Sequence, residues 1–427
     1  GRLVFHLGAG LVENRELLSD LPRIKHPILQ YLYTTSEKFL DSKTEGPNCL
    51  MCSGSLFVED CSNELIERGF QIYPWNTERL ATEELEHIIG VLEPELLFAI
   101  NYRLGLQEIA RKYQIPVLCW EIDPSLDAAP KASSETDSLF IFSYRQANVD
   151  EFEHNGFTNV QFLPLTTSPT RRHPLREPPE LRSPHAAKVA FVGASMYQEG
   201  QARLTEFHTL YETRVPKEQQ VSSEIIGERL EAIVSEQRLH PSEYRIESLL
   251  QAHFPELQRA LDSENFLLIP AQLIAEICAA HKRFDYVNAL AEHTPAVWGD
   301  DGWLEAKGID YRGLAGHHQE ITLIYSNAEI NIDIGRIYQS DIVTMRVFDV
   351  LACEGFLLTE HSPAIEEHFT PGYDLETYTD LDELCAKVSY YLKHPEKARE
   401  IGKRGRHTIE AKHTFTHRFD TIFQTMR

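Results

Sequence analysis

Short apolar runs alternate with amphipathic stretches along most of this chain. Cys49–Cys52 has the run of a buried strand, and Phe57–Arg68 repeats its apolar residues at helical spacing until Gly69 stops it. Strands are then predicted at Phe70–Tyr73, Leu96–Ile100, Pro116–Trp120, Ser138–Ser143 and Val160–Leu163, with helices at Glu83–Leu92 and Leu106–Tyr113. Repeated strand–helix–strand units of this kind imply a parallel sheet covered on both faces. Residues 1–46 add a strand at Arg2–Leu7 and a helix, neither with a clear place in that sheet.

Residues 164–187, PLTTSPTRRHPLREPPELRSPHAA, break the rhythm with proline and arginine and are the clearest linker. Lys188–Gly193 starts a second sheet. Helical pattern fills about 201–282, too long for one crossover. Strands resume at Ala296–Gly299, Ile309–Gly313, Glu329–Ile332, Phe356–Thr359 and Leu375–Tyr378. Asp380 and Glu383 form a capping-box pattern ahead of Leu381, Leu384, Val388 and Leu392, and Pro395 opens another helix. The expected organisation is a first α/β domain over 1–170, a linker at 171–187, and a second α/β domain over 188–415. That second domain carries a helical insertion at about 217–282, and a terminal helix over 416–427 can return to the first domain. Two such domains place a ligand in the cleft between them, beyond the carboxyl ends of the strands.

A chain of 427 residues with 42% hydrophobic and 10% aromatic residues is globular and too long for one ordinary core. Its net charge of −24 is spread along the chain, which argues against a general nucleic-acid binder and leaves anions to local arginines and helix ends. No apolar run reaches the roughly 20 residues of a membrane span. Gly1-Arg2-Leu3-Val4-Phe5 is strand-like rather than a leader. The seven cysteines sit in apolar contexts that suit reduced thiols, and Cys49 and Cys52 lack the second pair a zinc site needs. A cytoplasmic protein is expected.

The most telling stretch is Thr344–Thr359, TMRVFDVLACEGFLLT: an arginine-bearing loop, a helix with an early acid, a glycine stop and a buried strand. A helix N-terminus and Arg346 can hold a diphosphate, and Asp349 can accept hydrogen bonds from both ribose hydroxyls. Against this, Arg346 can simply pair with Asp349 at i+3, and Asp349 can serve the helix dipole. Arg336 and Arg346 flank a polar loop that contains Asp341 and Thr344. The loop after Lys188–Gly193 has Gly193, Ala194 and Ser195 ahead of a helix, which suits a phosphate cradle or an ordinary turn. Asp380-Leu381-Asp382 spells a metal-binding Asp-x-Asp, but capping accounts for it. In Trp120-Glu121-Ile122-Asp123-Pro124, at a strand's carboxyl end, Asp123 or Glu121 can deprotonate an acceptor hydroxyl. His6 is a lesser candidate, and His317-His318 reads as a solvated loop. No Gly-x-Ser-x-Gly elbow, P-loop or His-Glu-x-x-His occurs.

From Ala328 onward the order of the helix in TMRVFDVLACEG, then LLTE, F-x-P-G, YYL-x-HP, I-x-x-x-G and HT-x-x-HR resembles the C-terminal domain of group 1 glycosyltransferases, most closely the CgeB-like, spore-maturation type of bacterial enzyme. KVAFVGASMYQEGQAR is similar to the strand and loop that open that domain, and WEIDP to the acceptor-side turn of the family's N-terminal domain. The resemblance implies a GT-B fold, two Rossmann-like domains facing across a cleft, with the donor mainly on the second. It implies sugar transfer from a nucleotide-diphosphate sugar to a hydroxyl acceptor on a glycan, protein or lipid, with no metal or other cofactor. Arg346 and Arg336 would meet the leaving diphosphate and Asp123 would lie near the acceptor. Gly193, Ser195, Gly299, Asp341, Thr344 and Asp349 would line the donor. Asp341 and Asp349 keep the family's eight-residue spacing of two acids, as aspartates where glutamates are usual. ACEG stands for the usual ACG, and Asp333 for the asparagine of N-x-x-R. A nucleotide-sugar epimerase and a non-catalytic binding subunit are the alternative readings, and a homo-oligomer is compatible with the insertion.

Overall fold

A computed structural model describes residues 46–426 apart from 53–55, 76–81, 104, 124–129, 133–137, 177–183, 242 and 262–267. The strand expected at Arg2–Leu7, and His6 with it, lie outside the described residues. The chain divides into two units, Gly1–Pro164 with Phe415–Arg427, and Leu165–Thr414.

The first unit runs β1 (Asn48–Cys52), α1 (Val58–Glu67), β2 (Gln71–Trp75), α2 (Thr82–Leu92), β3 (Leu96–Ile100), α3 (Leu106–Tyr113), β4 (Val117–Glu121), β5 (Leu139–Ser143), α4 (Gln146–His154) and β6 (Val160–Phe162). Its strands pair in the order β2-β1-β3-β4-β5-β6, all parallel. All five residues of β3 and of β4 are buried, as a sheet covered on both faces requires. The terminal helix, Phe415–Thr425, belongs to this unit: Phe415 meets Phe57 edge-on at 5.0 Å, and Phe419 stacks on Phe98 at 6.0 Å.

The second unit runs β7 (Ala187–Val192), α5 (Tyr197–Arg214), α6 (Ser223–Leu239), α7 (Ile246–His253), α8 (Pro255–Leu261), α9 (Leu268–Ala289), β8 (Ala296–Trp298), β9 (Asp310–Tyr311), α10 (Gln319–Asn327), β10 (Ala328–Ile332), α11 (Met345–Ala352), β11 (Leu357–Glu360), α12 (Pro363–His368), β12 (Glu376–Tyr378), α13 (Leu381–Lys393) and α14 (Pro395–Lys412). The sheet order is β12-β11-β10-β7-β8-β9, again all parallel. From β7 the chain builds outward on one side and then returns to build on the other. The order reverses between β7 and β10, and the crevice at such a reversal is where open sheets of this type hold ligands. Helices α5–α9 bury a core of their own, including Phe207, Tyr211, Ile233, Phe254 and Ile274. The helical region therefore spans more of the chain than the 217–282 expected for the insertion.

The fold class is the expected one, two Rossmann-like α/β domains with a helical insertion in the second. The border between the units falls at Pro164/Leu165 rather than in 171–187. Residues 165–172 are bound to the second unit, where the Thr166 hydroxyl donates to the His413 carbonyl at 2.7 Å and Thr167 pairs with Thr414 in a parallel bridge. Among the described residues, no helix is long and apolar enough to cross a membrane.

Candidate functional site

At the reversal point of the second sheet, β7 ends at Val192 and β10 at Ile332. Arg346, in the first turn of α11, spans the two ends. Its Nε donates to the Val192 carbonyl at 2.8 Å, and its Nη1 bonds Asp333, the residue after β10. The guanidinium also lies over the Phe191 ring, 5.2 Å from its centre. Burial alone would lower the Arg346 pKa, but the Asp333 carboxylate and the Tyr325 hydroxyl more than offset it and hold the group above its ordinary value. Arg346 stays charged, in a fixed orientation, with its side chain 16% exposed.

Asp333 is 2% exposed and acts as the hub. Its second carboxylate oxygen accepts from Thr344 Oγ1 at 3.1 Å and Thr359 Oγ1 at 3.0 Å. The Tyr378 hydroxyl donates to its backbone carbonyl at 2.6 Å. Ends of β10, β11 and β12 and the start of α11 are thus tied to one carboxylate or to its backbone, and Arg346 carries the tie on to the end of β7. Thr344, expected at the donor, is the N-cap residue of α11, and its hydroxyl serves Asp333 rather than the helix amides.

Gly193 and Gly299 act through their lack of a side chain. A Cβ on Gly193 would stand 2.8 Å from Nη2 of Arg346, and one on Gly299 would stand 2.2 Å from the Gly193 carbonyl. Their amides are spent within the sheet, on the carbonyls of Trp298 and Gly313, both at 2.8 Å. Ser195 is also occupied: its amide donates to Asp300 at 2.6 Å and its hydroxyl to the same carboxylate at 2.5 Å. Asp300 thereby fills the anion position expected of this loop. In Asp380-Leu381-Asp382, Asp380 caps α13, accepting from the Glu383 amide at 2.8 Å.

Two more arginines surround Arg346. Arg336, half-buried, donates to the Tyr338 hydroxyl at 2.6 Å and to Glu276 of α9 at 3.4 Å. Arg283, also from α9, is buried and donates to the Ala194 carbonyl at 2.5 Å. The strand-end signal could have found Asp333. Arg283 and Glu276 carry no such signal, because a charged pair within a helical run reads as a solvated face.

Asp341 and Asp349 do not share an environment. Asp341 is exposed, whereas Asp349 is 5% exposed and both its oxygens are engaged, one by the Thr167 hydroxyl at 2.5 Å and the other by Arg172 Nε at 3.1 Å. The rest of the Arg172 fork donates to the carbonyls of His317 at 2.7 Å and His318 at 2.8 Å and to Thr322 at 3.2 Å. The side chains of His317 and His318 belong to an exposed loop.

In the first unit the β3–β4 register sets Asn101, the residue after β3, beside Glu121, the last residue of β4. Asn101 takes a left-handed backbone with φ 60°, an uncommon conformation of the kind found at functional sites. Its side chain accepts from the Ile122 amide at 2.9 Å and donates to Asp123 at 2.8 Å, which positions that exposed carboxylate. Glu121 is buried, one oxygen held by the Tyr102 amide and the Cys119 thiol. Burial pushes its carboxyl from 4.5 up to about 7, with a smaller contribution from Asp123. Below about pH 4.5 the group is protonated whether folded or unfolded. Between 4.5 and 7 the folded protein keeps a proton that the unfolded chain releases, so stability falls as pH rises through that window. Glu121→Gln is therefore expected to match the wild type at pH 4 and exceed it by about 3 kcal/mol at pH 8 in urea denaturation. Equal stability at both pH values would show that Glu121 is not held protonated.

Among curated proteins, no sequence matches this chain. Solved structures similar to it include a sucrose-phosphate synthase from Thermosynechococcus elongatus, 11% identical, covering 89% of this chain and 98% of its own with a TM-score of 0.49. Anabaena HepE in complex with UDP-glucose is 10% identical, covering 89% and 99% at 0.48. A glycosyltransferase from Rickettsia africae ESF-5 is 10% identical, covering 90% and 98% at 0.47. Residues 282–424, a stretch that holds Arg283, Asp333, Arg336, Arg346 and Asp349, match the family model described as glycosyl transferase-like.

Proposed function

We propose that this protein is a glycosyltransferase of the group 1, CgeB-like type. It would move a hexosyl group from a nucleotide-diphosphate sugar to a hydroxyl of a glycan, protein or lipid. The observation that carries the reading is Arg346, held by Asp333 and the Val192 carbonyl at the reversal point of a parallel sheet. The glycosyl transferase-like match over 282–424 supports the same class.

In the proposed reaction the acceptor oxygen forms a bond to the anomeric carbon as the bond from that carbon to the phosphate oxygen breaks. The electron pair of the broken bond leaves on the nucleoside diphosphate, and the acceptor proton passes to a carboxylate base. Negative charge grows on the departing diphosphate, so a pre-oriented guanidinium acts more strongly in the transition state than in the ground state. Guanidiniums would take the role that a metal ion plays in metal-dependent transferases.

A thermal-shift screen of UDP-, GDP-, ADP- and CDP-sugars tests the donor class. A ligand present at 100 times its Kd adds about 2.7 kcal/mol to the folded state. One nucleotide series is expected to raise the melting temperature, and incubation with acceptor extracts should then yield a glycosylated product. No shift with any donor would overturn the reading. Release of an altered free sugar without an acceptor would replace transfer with epimerisation.

A further inference from the structure

The charges around Arg346 do not balance. Arg346 is paired with Asp333, Arg336 with Glu276, and Lys282 with Glu360 at 2.6 Å. Arg283 has no carboxylate partner among the described residues. Its Nη1 reaches the Ala194 carbonyl, and its Nε is buried with no acceptor among the described residues. Four cations thus face three carboxylates. Burying an unmatched charge costs several kcal/mol, so a fold does not gain stability by holding one there.

Arg283 is also anchored beside Arg346. Arg346 is anchored on the carbonyl of Val192 and Arg283 on that of Ala194, two residues further along the same strand end. Arg283 and Glu276 are seven residues apart on α9, close to two helical turns, and so share one face of that helix. That face closes against the β7–α5 loop, where Ala280 packs on Met196. Burial lowers the Arg283 pKa to about 10, and repulsion from Arg346 and Arg336 adds to the fall, only partly offset by Asp333. An arriving anion would relieve that repulsion.

We propose that Arg283 is a direct ligand of an incoming phosphate group, so that the helical insertion, through α9, supplies part of the anion site that Arg346 and Arg336 begin. The inference rests on the donor-site reading and deepens it: the ligand class is a diphosphate, with oxygens enough for more than one guanidinium. The loop of Gly193 to Ser195 then contributes a carbonyl that orients an arginine, since its Ser195 amide already serves Asp300.

Calorimetry of the full chain, wild type and Arg283→Met, with inorganic pyrophosphate and with UDP and GDP tests this. The variant is expected to bind pyrophosphate about ten- to a hundredfold more weakly, from loss of charge-assisted bonds. Its unliganded melting temperature should equal or exceed that of the wild type, because an unmatched buried cation has gone. A purely structural arginine would do the opposite, lowering the melting temperature and leaving affinity unchanged, and that result overturns the proposal. If Arg283→Met does not fold, Arg283→Gln keeps a donor for the Ala194 carbonyl without the charge and is held to the same two outcomes. Wild type that binds pyrophosphate through Arg283 but neither nucleoside diphosphate would overturn the donor reading and leave the anion site standing. Wild type that binds none of the three overturns both.

Discussion

Arg346→Ala is expected to lower kcat/KM for sugar transfer by about 10²–10³-fold, the usual loss when one pre-oriented donor to a developing negative charge is removed. Three features make this arginine the most sensitive position. Its Nε is tied to the Val192 carbonyl, its Nη1 to Asp333, and its face to Phe191, so the guanidinium does not need to be organised as charge develops. A loss confined to ground-state binding would raise KM alone. Loss in kcat as well identifies a contact that strengthens in the transition state. Arg346→Lys keeps a cation beside Asp333 but not the fork that reaches two partners, so it should fold and still lose most activity. Full activity in either variant, measured with the remaining structure intact by circular dichroism, would remove Arg346 from the reaction.

The second large effect concerns stability. Asp349→Ala should destabilise the second unit by about 3–5 kcal/mol, since it strips the partner from an arginine that is 3% exposed. For a unit of this size that is a fall of roughly 10 °C in melting temperature. Arg172→Ala should cost a similar amount, and the double variant less than the sum of the two, as expected of one coupled pair. The outcome also decides between two roles for Asp349. A ribose ligand would weaken nucleoside diphosphate binding relative to pyrophosphate while leaving the melting temperature unchanged. A latch between the segment after Pro164 and α11 would do the reverse. The distances to Thr167 and Arg172 favour the latch.

Spacing alone pointed to Asp349 as a ribose ligand because an acid one turn past an arginine has the reach. The competing partner was 177 residues earlier, in a segment whose prolines read as linker. Ser195 is similar. Its small neighbours look like a phosphate cradle, but the carboxylate that its amide serves is 105 residues away. Arg283 reads as one charge among many on a long helix, and the carbonyl that anchors it is 89 residues distant.

What the sequence by itself determined is the local layer. Strand β3 and helix α3 begin and end where their apolar periodicity does. The alternation of strands and helices set two parallel sheets, and the Asp380–Glu383 pattern set the cap of α13, because burial period and backbone capping act over a few residues. It also placed Arg346 at a helix start beside a buried strand. Tertiary structure alone decided which charges meet. Sheet order brought β7 beside β10 and made Asp333 the partner of Arg346. The packing of α9 added Arg283, and the return of residues 165–172 to the second unit enclosed Asp349. Ion pairs follow distance in space, and periodicity along a chain carries no record of it.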